Sequence, residues 1–223
     1  MKLEAVIFDY DGTLVLLNID FEAMRREVER RLLVHGVELD QLKGLYILEM
    51  INQGAALISW MDPSAGTSFY QEAHELVREH EIRAAEEGDM IPGTMDTLKR
   101  LKEQGFKVGI ITRNCKAAVE IVFPHIEQYC DVFIPRDDVK QVKPHPDHLA
   151  EVLEKLAVEK PSNCLMVGDH ILDIKAGKRM EMKTAGVLTG KTTRHQFEEA
   201  EADLIFEDAT KILNHISVPF GDG

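Results

Sequence analysis

Cysteine is scarce in this chain: three in 223 residues, Cys115, Cys130 and Cys164, with no CxxC pair among them. That scarcity excludes a disulfide framework or a zinc ribbon as the organising device and fits a reducing compartment. Positive charge is short as well. Lys and Arg total 26 against 39 Asp and Glu, a formal net charge of −13. A balance of that sign argues against a nucleic-acid backbone or an anionic membrane surface as main partner, so any anionic ligand must be met by a local site. Long hydrophobic runs are missing too, and none approaches the ~18 apolar residues of a membrane span. The opening MKLEAVIFDYDG has too brief an apolar stretch and too early an acidic residue for a signal peptide. The expectation is a cytoplasmic protein. Residues 217–223, with one Pro and two Gly, read as a frayed tail.

What is present is a series of short apolar runs bounded by Gly, Asp or Pro, at Ala5–Phe8, 108–111, Val132–Ile134, 165–167, 185–188 and Leu204–Phe206. They do not alternate with polar residues, so they read as strands buried on both faces. Helical patterns lie between them. Residues 94–104 put Met95, Leu98 and Leu101 on one side with Gly105 as the stop, and 146–157 put Leu149, Val152, Leu153 and Leu156 on one stripe. Strand alternating with helix predicts an α/β fold with a doubly wound parallel sheet.

Between residues 16 and 87 the alternation fails. Phe21, Met24, Val28 and Leu32 recur at helical spacing, as do Leu42, Leu45 and Leu48, and then Phe69, Ala73, Leu76 and Val77, with no strand evident. The expected organisation is a core domain of residues 1–15 and 89–223 and a helical cap domain of residues 16–88 inserted after the first strand. The turn signal Ile91-Pro92-Gly93 marks the far boundary. Insertions at strand ends commonly form lids.

In an open parallel sheet, ligands bind outside the carboxyl ends of the strands. The residues that follow the apolar runs are polar: Asp9-Tyr10-Asp11-Gly12-Thr13, then Thr112-Arg113-Asn114, then Lys143-Pro144, then Gly168-Asp169-His170-Ile171-Leu172-Asp173. In this order the four elements resemble the signature of the haloacid dehalogenase superfamily of phosphohydrolases: DxDGT, a Ser or Thr, a Lys, and GDxxxD. The resemblance spans nearly the whole chain. It implies a Rossmann-like core, a nucleophile at Asp9 and an acid/base group at Asp11. It further implies a Mg²⁺ ion held by Asp9, the backbone carbonyl of Asp11 and Asp169, with Asp173 near the ion or orienting Lys143.

The residues bear a physical reading of their own. Asp9 at a strand terminus can be aimed at an incoming phosphorus, and Asp11, just before a flexible Gly, can exchange protons with a leaving oxygen or with water. The plainer alternative for this pair is an Asp-Gly turn with a carboxylate bonded to backbone. Like charges this close raise each other's pKa unless a cation sits among them, and Asp169 and Asp173 add more; oxygen ligands with a phosphate substrate favour Mg²⁺. Asp173 also suits the first turn of a helix. Lys143 brings positive charge to the phosphoryl oxygens, and Thr112 brings a hydroxyl. Asn114 can cap the helix running through Ala117 and Val119, whose free N–H groups would bind an anion, while Arg113 faces either ligand or solvent. His145 and His148 read as solvent-facing helix surface, Cys115 as a small buried hydrophobe, and 198–203 as a solvated acidic face.

Dehalogenases of the superfamily lack the second aspartate, so Asp11 favours phosphoryl chemistry. A helical insertion after the first motif resembles the phosphoglycolate phosphatase-like branch, which also holds β-phosphoglucomutases. This chain reads Gly12-Thr13-Leu14-Val15-Leu16-Leu17 where many of that branch read GTLVDS. The resemblance implies a phosphatase acting on a small phosphorylated metabolite through an aspartyl-phosphate. The alternatives are a phosphomutase and a non-catalytic regulatory module on the same fold. Oligomeric state has no signature in the motifs.

Overall fold

The computed structural model describes residues 3–216, so the expectation for 217–223 lies outside the described residues. The central sheet has six parallel strands in the order β5-β4-β1-β6-β7-β8. They are β1 (Ala5–Phe8), β4 (Lys107–Ile111), β5 (Val132–Ile134), β6 (Cys164–Gly168), β7 (Lys183–Val187) and β8 (Leu204–Phe206). The helices between them are α4 (Thr94–Glu103), α5 (Lys116–Val122), α6 (Pro146–Lys155), α7 (Ile171–Arg179) and α8 (Arg194–Glu199).

β1 is unbroken AVIF because both of its faces are covered. Val6 and Phe8 enter a cluster with Leu98, Leu101, Val108, Ile110 and Phe123. Ala5 and Ile7, one residue out of phase, enter the opposite cluster with Leu149, Val152, Met166 and Ala176. The chain runs outward from β1 to β4 and β5, then returns to β6 on the other side. The order therefore reverses between β1 and β6, and the crevice at their carboxyl ends is where such sheets bind ligands.

The chain divides into two compact units, one of Met1–Leu17 with Ala85–Gly223 and one of Asn18–Ala84. Within the first unit, β2 (Val15–Leu16) pairs antiparallel with β3 (Asp89–Met90). This ribbon lies where no strand is expected, because two residues are too few to show alternation. The second unit is helical, with α1 (Phe21–Val34), α2 (Ile47–Met61) and most of α3 (Pro63–Glu86). Asp20 caps α1 by accepting from the Ala23 N–H at 2.8 Å. Met24, Val28, Leu32, Ile51, Ile58, Phe69, Ala73 and Leu76 form buried positions of this unit. Gly66 lets α2 and α3 approach: a Cβ there would come within 2.8 Å of the Ser59 nitrogen and the Ala55 carbonyl.

Two periodicities did not become what they suggested. Leu42, Leu45 and Leu48 do not share a helix, since Leu42 closes a short 3₁₀ turn and Gly44, at φ +80°, reverses the chain before α2. Met95 is exposed, and α4 buries Thr94 and Thr97 beside Leu98 and Leu101. The Thr94 hydroxyl reaches back to the Leu14 carbonyl at 2.9 Å, which rotates Met95 outward.

Candidate active site

The nucleophile candidate is set by the sheet. The N–H of Asp9 donates to the Val167 carbonyl at 2.8 Å, carrying the β1–β6 ladder one residue beyond the strand. Gly12, at φ +74°, then turns the chain, and its N–H donates to Val15. A Cβ on Gly12 would collide with the Asp169 carboxylate, so a side-chain-free residue is required for the two loops to meet. Gly190, after β7, stands against the same carboxylate, and a Cβ there would also collide with it. The sequence holds no signal that singles out Gly190.

Lys143 is 3% exposed, and its ammonium bonds Asp9 and, at 2.6 Å, Asp173. Asp173, in the first turn of α7, uses its other oxygen to accept from the His170 N–H at 3.1 Å, and His170 Nδ1 accepts from Leu172. Asp173 is thus at once a lysine partner and a member of a capping box. One carboxylate oxygen each from Asp9, Asp169 and Asp173 lies within 4.8 Å of the others. The Asp11 carboxylate stands outside that group and accepts from the Leu17 N–H at 3.0 Å.

Charge in this group is short by at least one cation. Burial, and then its neighbours Asp9, Asp173 and Asp11, hold the Asp169 carboxyl well above the ordinary range. Burial raises Asp9 too, against the pull of Lys143. Asp11 is pushed up to about 7 by burial and by Asp9. Burial works against the Lys143 charge, but Asp173 and Asp9 outweigh it and its pKa stands above normal. An oxygen-only donor set whose negative charge one lysine does not balance fits a hard divalent ion such as Mg²⁺.

Thr112 is buried after β4, and its N–H donates to the Ile134 carbonyl at 3.2 Å, while its Oγ1 accepts from the Asn114 N–H at 3.0 Å. Asn114 does not cap α5; Cys115 holds that position, without a side-chain cap bond. Cys115 is still extended, at φ −69° and ψ 152°, so the helix starts at Lys116 and not one position earlier. Asn114 Nδ2 and Thr13 Oγ1 are buried with no protein partner among the described residues. Arg113 is half-buried and donates through Nη1 to the Lys143 carbonyl.

One expectation is overturned outright. His148 is fully buried, not solvent-facing, and bonds the Lys143 backbone and the Ile134 carbonyl. The signal was in the sequence: His148 lies one turn before Val152, on the apolar stripe of α6. His145 does sit at the helix start and accepts from the Asp147 N–H at 3.3 Å. Cys115 is buried as expected.

A doubly wound α/β core with these carboxylates and a buried lysine at one edge defines a hydrolytic enzyme of the phosphatase type. Residues 6–187 match the family model of the haloacid dehalogenase-like hydrolases, and the chain belongs to that family. A pyrophosphatase PpaX of Bacillus cereus is 32% identical over 222 residues, covering 97% of this chain and 98% of that one. A haloacid dehalogenase-like hydrolase of Bacteroides fragilis superposes with a TM-score of 0.69 at 24% identity, over 95% of this chain and 100% of the other. A structure described as a predicted phosphoglycolate phosphatase of Haemophilus somnus gives 0.63 at 17% identity, over 96% and 98%. At those identities the structural likeness carries the fold. Among the described residues no helix is long and apolar enough to cross a membrane.

Proposed function

We propose that the protein is a Mg²⁺-dependent phosphatase that hydrolyses a small phosphorylated metabolite, phosphoglycolate-like in size and charge, through an aspartyl-phosphate on Asp9. The observation that carries this reading is the buried Lys143 ammonium bonded to both Asp9 and Asp173, with Asp169 in the same group of carboxylates. Asp9 and Asp169 would hold the ion together with the Asp11 backbone carbonyl, with Asp173 beside it. When bound, Mg²⁺ neutralises carboxylate and phosphoryl charge as a Lewis acid.

The chain's own groups account for the proton and phosphoryl movements. An oxygen of Asp9 attacks phosphorus as the ester P–O bond breaks, and Asp11, holding a proton near neutral pH, gives it to the departing oxygen. Asp11, now a carboxylate, takes a proton from water as that water attacks the same phosphorus. Inorganic phosphate leaves and Asp9 is restored. Lys143 offsets the charge that gathers between Asp9 and the phosphoryl oxygens, with the Thr112 hydroxyl, the Asn114 carboxamide and Arg113 as further donors to phosphate. Residues 16–88 act as the cap domain that selects the substrate, and residues 1–15 and 89–223 as the catalytic core. The setting is the cytoplasm, consistent with three cysteines that are buried and unpaired.

Phosphate release from a panel of phosphometabolites, with and without Mg²⁺, tests the reading. Turnover should require the ion and be abolished in Asp9→Asn while the variant stays folded by circular dichroism; turnover retained in Asp9→Asn overturns the nucleophile. A second reading, inorganic pyrophosphate as substrate, is favoured by the 32% identical relative named as a pyrophosphatase. It predicts that pyrophosphate outruns every monoester in the same panel.

A further inference from the structure

Lys143 lies in an irregular segment between β5 and α6, yet its ammonium is held between two carboxylates. Its main chain must therefore be fixed by something other than a strand or a helix. Three side chains do this. The Lys143 N–H donates to His148 Nδ1 at 3.2 Å, Arg113 Nη1 donates to the Lys143 carbonyl, and Arg179 Nη1 donates to the Pro144 carbonyl at 3.1 Å.

His148 differs from the two arginines because both of its ring nitrogens are engaged and the ring is fully buried. A backbone N–H can only donate, so Nδ1 is the acceptor and carries no proton. A backbone carbonyl can only accept, so the proton is on Nε2, directed at Ile134 at 3.1 Å. The two partners settle the tautomer. Burial supports the neutral ring and pushes its pKa down to about 4. The Ile134 carbonyl also accepts from the Thr112 N–H at 3.2 Å. One imidazole thus ties the main chain of Lys143 to the carbonyl that fixes the main chain of Thr112.

We infer that His148 is a positioning residue for the phosphoryl-transfer step. As a neutral Nδ1 acceptor it holds Lys143 in register with Asp9, and through the Ile134 carbonyl it keeps Lys143 in fixed relation to Thr112. The inference rests on the roles proposed above for Lys143 and Thr112. A neutral ring adds no charge next to the ammonium it places, and it satisfies a buried N–H that no helix or strand would satisfy.

His148→Asn and His148→Gln separate positioning from mere packing. The amide of Asn falls where Nδ1 lies, which keeps an acceptor for Lys143. The amide of Gln reaches the place of Nε2, which keeps a donor for Ile134 and leaves the Lys143 N–H bare. Each variant loses one buried hydrogen bond, so a purely structural role makes them equal in melting temperature and in kcat. Positioning makes His148→Gln roughly tenfold slower in kcat than His148→Asn on an aryl phosphate with Mg²⁺, at comparable melting temperatures and with KM changed less than kcat. Equal kcat in the two variants, or wild-type kcat in His148→Gln, overturns the inference. Lys143→Met, assayed alongside, keeps the two readings apart. If it retains wild-type turnover, the proposed role of Lys143 fails; if it loses turnover while the two His148 variants match, only the positioning role fails.

Discussion

The Nζ of Lys143 lies 2.6 Å from Oδ1 of Asp173 and bonds Asp9 on its other side, with all three side chains almost wholly withdrawn from water. A buried cation between two carboxylates does little for net stability beyond offsetting its own desolvation, but removing it strands like charges. Lys143→Met should therefore cost about 3–5 kcal/mol in urea unfolding at neutral pH without Mg²⁺. It should also lower turnover on the order of a hundredfold or more. Adding Asp173→Asn to that background should recover part of the stability and none of the activity. A Lys143→Met protein as stable as wild type would mean that Asp9 and Asp173 are not both ionised in the native state.

The raised carboxyls give a pH signature with a definite sign. Asp9, Asp11 and Asp169 sit above their ordinary value of 3.8, and Asp11 stands at about 7. The native state keeps protons that the unfolded chain has already lost. Their contribution is thus complete below about pH 4 and declines as pH rises through about 6 for Asp9, about 7 for Asp11 and about 9 for Asp169. Mg²⁺ binds the deprotonated groups and restores what is lost. The rise in melting temperature on adding Mg²⁺ should be larger at pH 8 than at pH 5.5. With the ion at about a hundred times its Kd it should approach 3 kcal/mol, roughly 5–10 °C for a chain of this size. An equal rise at the two pH values would remove these carboxylates from the ion's site.

The strands and the edge residues are legible because burial on both faces leaves no room for polar positions in β1, β6 or residues 108–111 of β4, and whatever ends such a run must be the polar edge. Asp9, Thr112, Asp169 and Asp173 all follow that rule. What stayed hidden was set by tertiary partners. The β2–β3 ribbon is two residues long on each side, too short for any period to register. Cys115 in place of Asn114 as the cap of α5 depends on where the backbone turns, not on which side chain caps best. His148 reads as solvated when His145 and His148 are taken as a bare HxxH pair without further ligands, although its spacing to Val152 puts it on the buried stripe.

Gly190 illustrates a contact that no local pattern announces. It follows β7, far along the chain from Asp169, and a Cβ there would strike the Asp169 carboxylate. Gly190→Ala should displace that carboxylate and raise the Mg²⁺ concentration needed for half-maximal thermal stabilisation about tenfold, as disturbed supports of a metal ligand do. Gly105→Ala is the control. Gly105 is at φ +85° with open space around it, so Ala there costs about 1–2 kcal/mol of backbone strain without touching the ion response. Matching ion responses in the two variants would show that Gly190 only shapes a loop.

Tyr10, between the two leading aspartates, is fully buried in the core, and its hydroxyl donates to the Val119 carbonyl in α5 at 3.2 Å. It ties the Asp9–Asp11 loop to the helix that follows Thr112. The Val119 carbonyl also accepts from the Phe123 N–H at 2.8 Å, so Tyr10→Phe leaves no acceptor bare. The expected loss is therefore at the low end of a single hydrogen bond, about 0.5 kcal/mol in urea unfolding. Because the ring keeps its packing against the sheet, Asp9 keeps its place and kcat should stay within about twofold of wild type. A loss of kcat much larger than the loss of stability would mean that the hydroxyl, and not the ring, holds Asp9 at the end of β1.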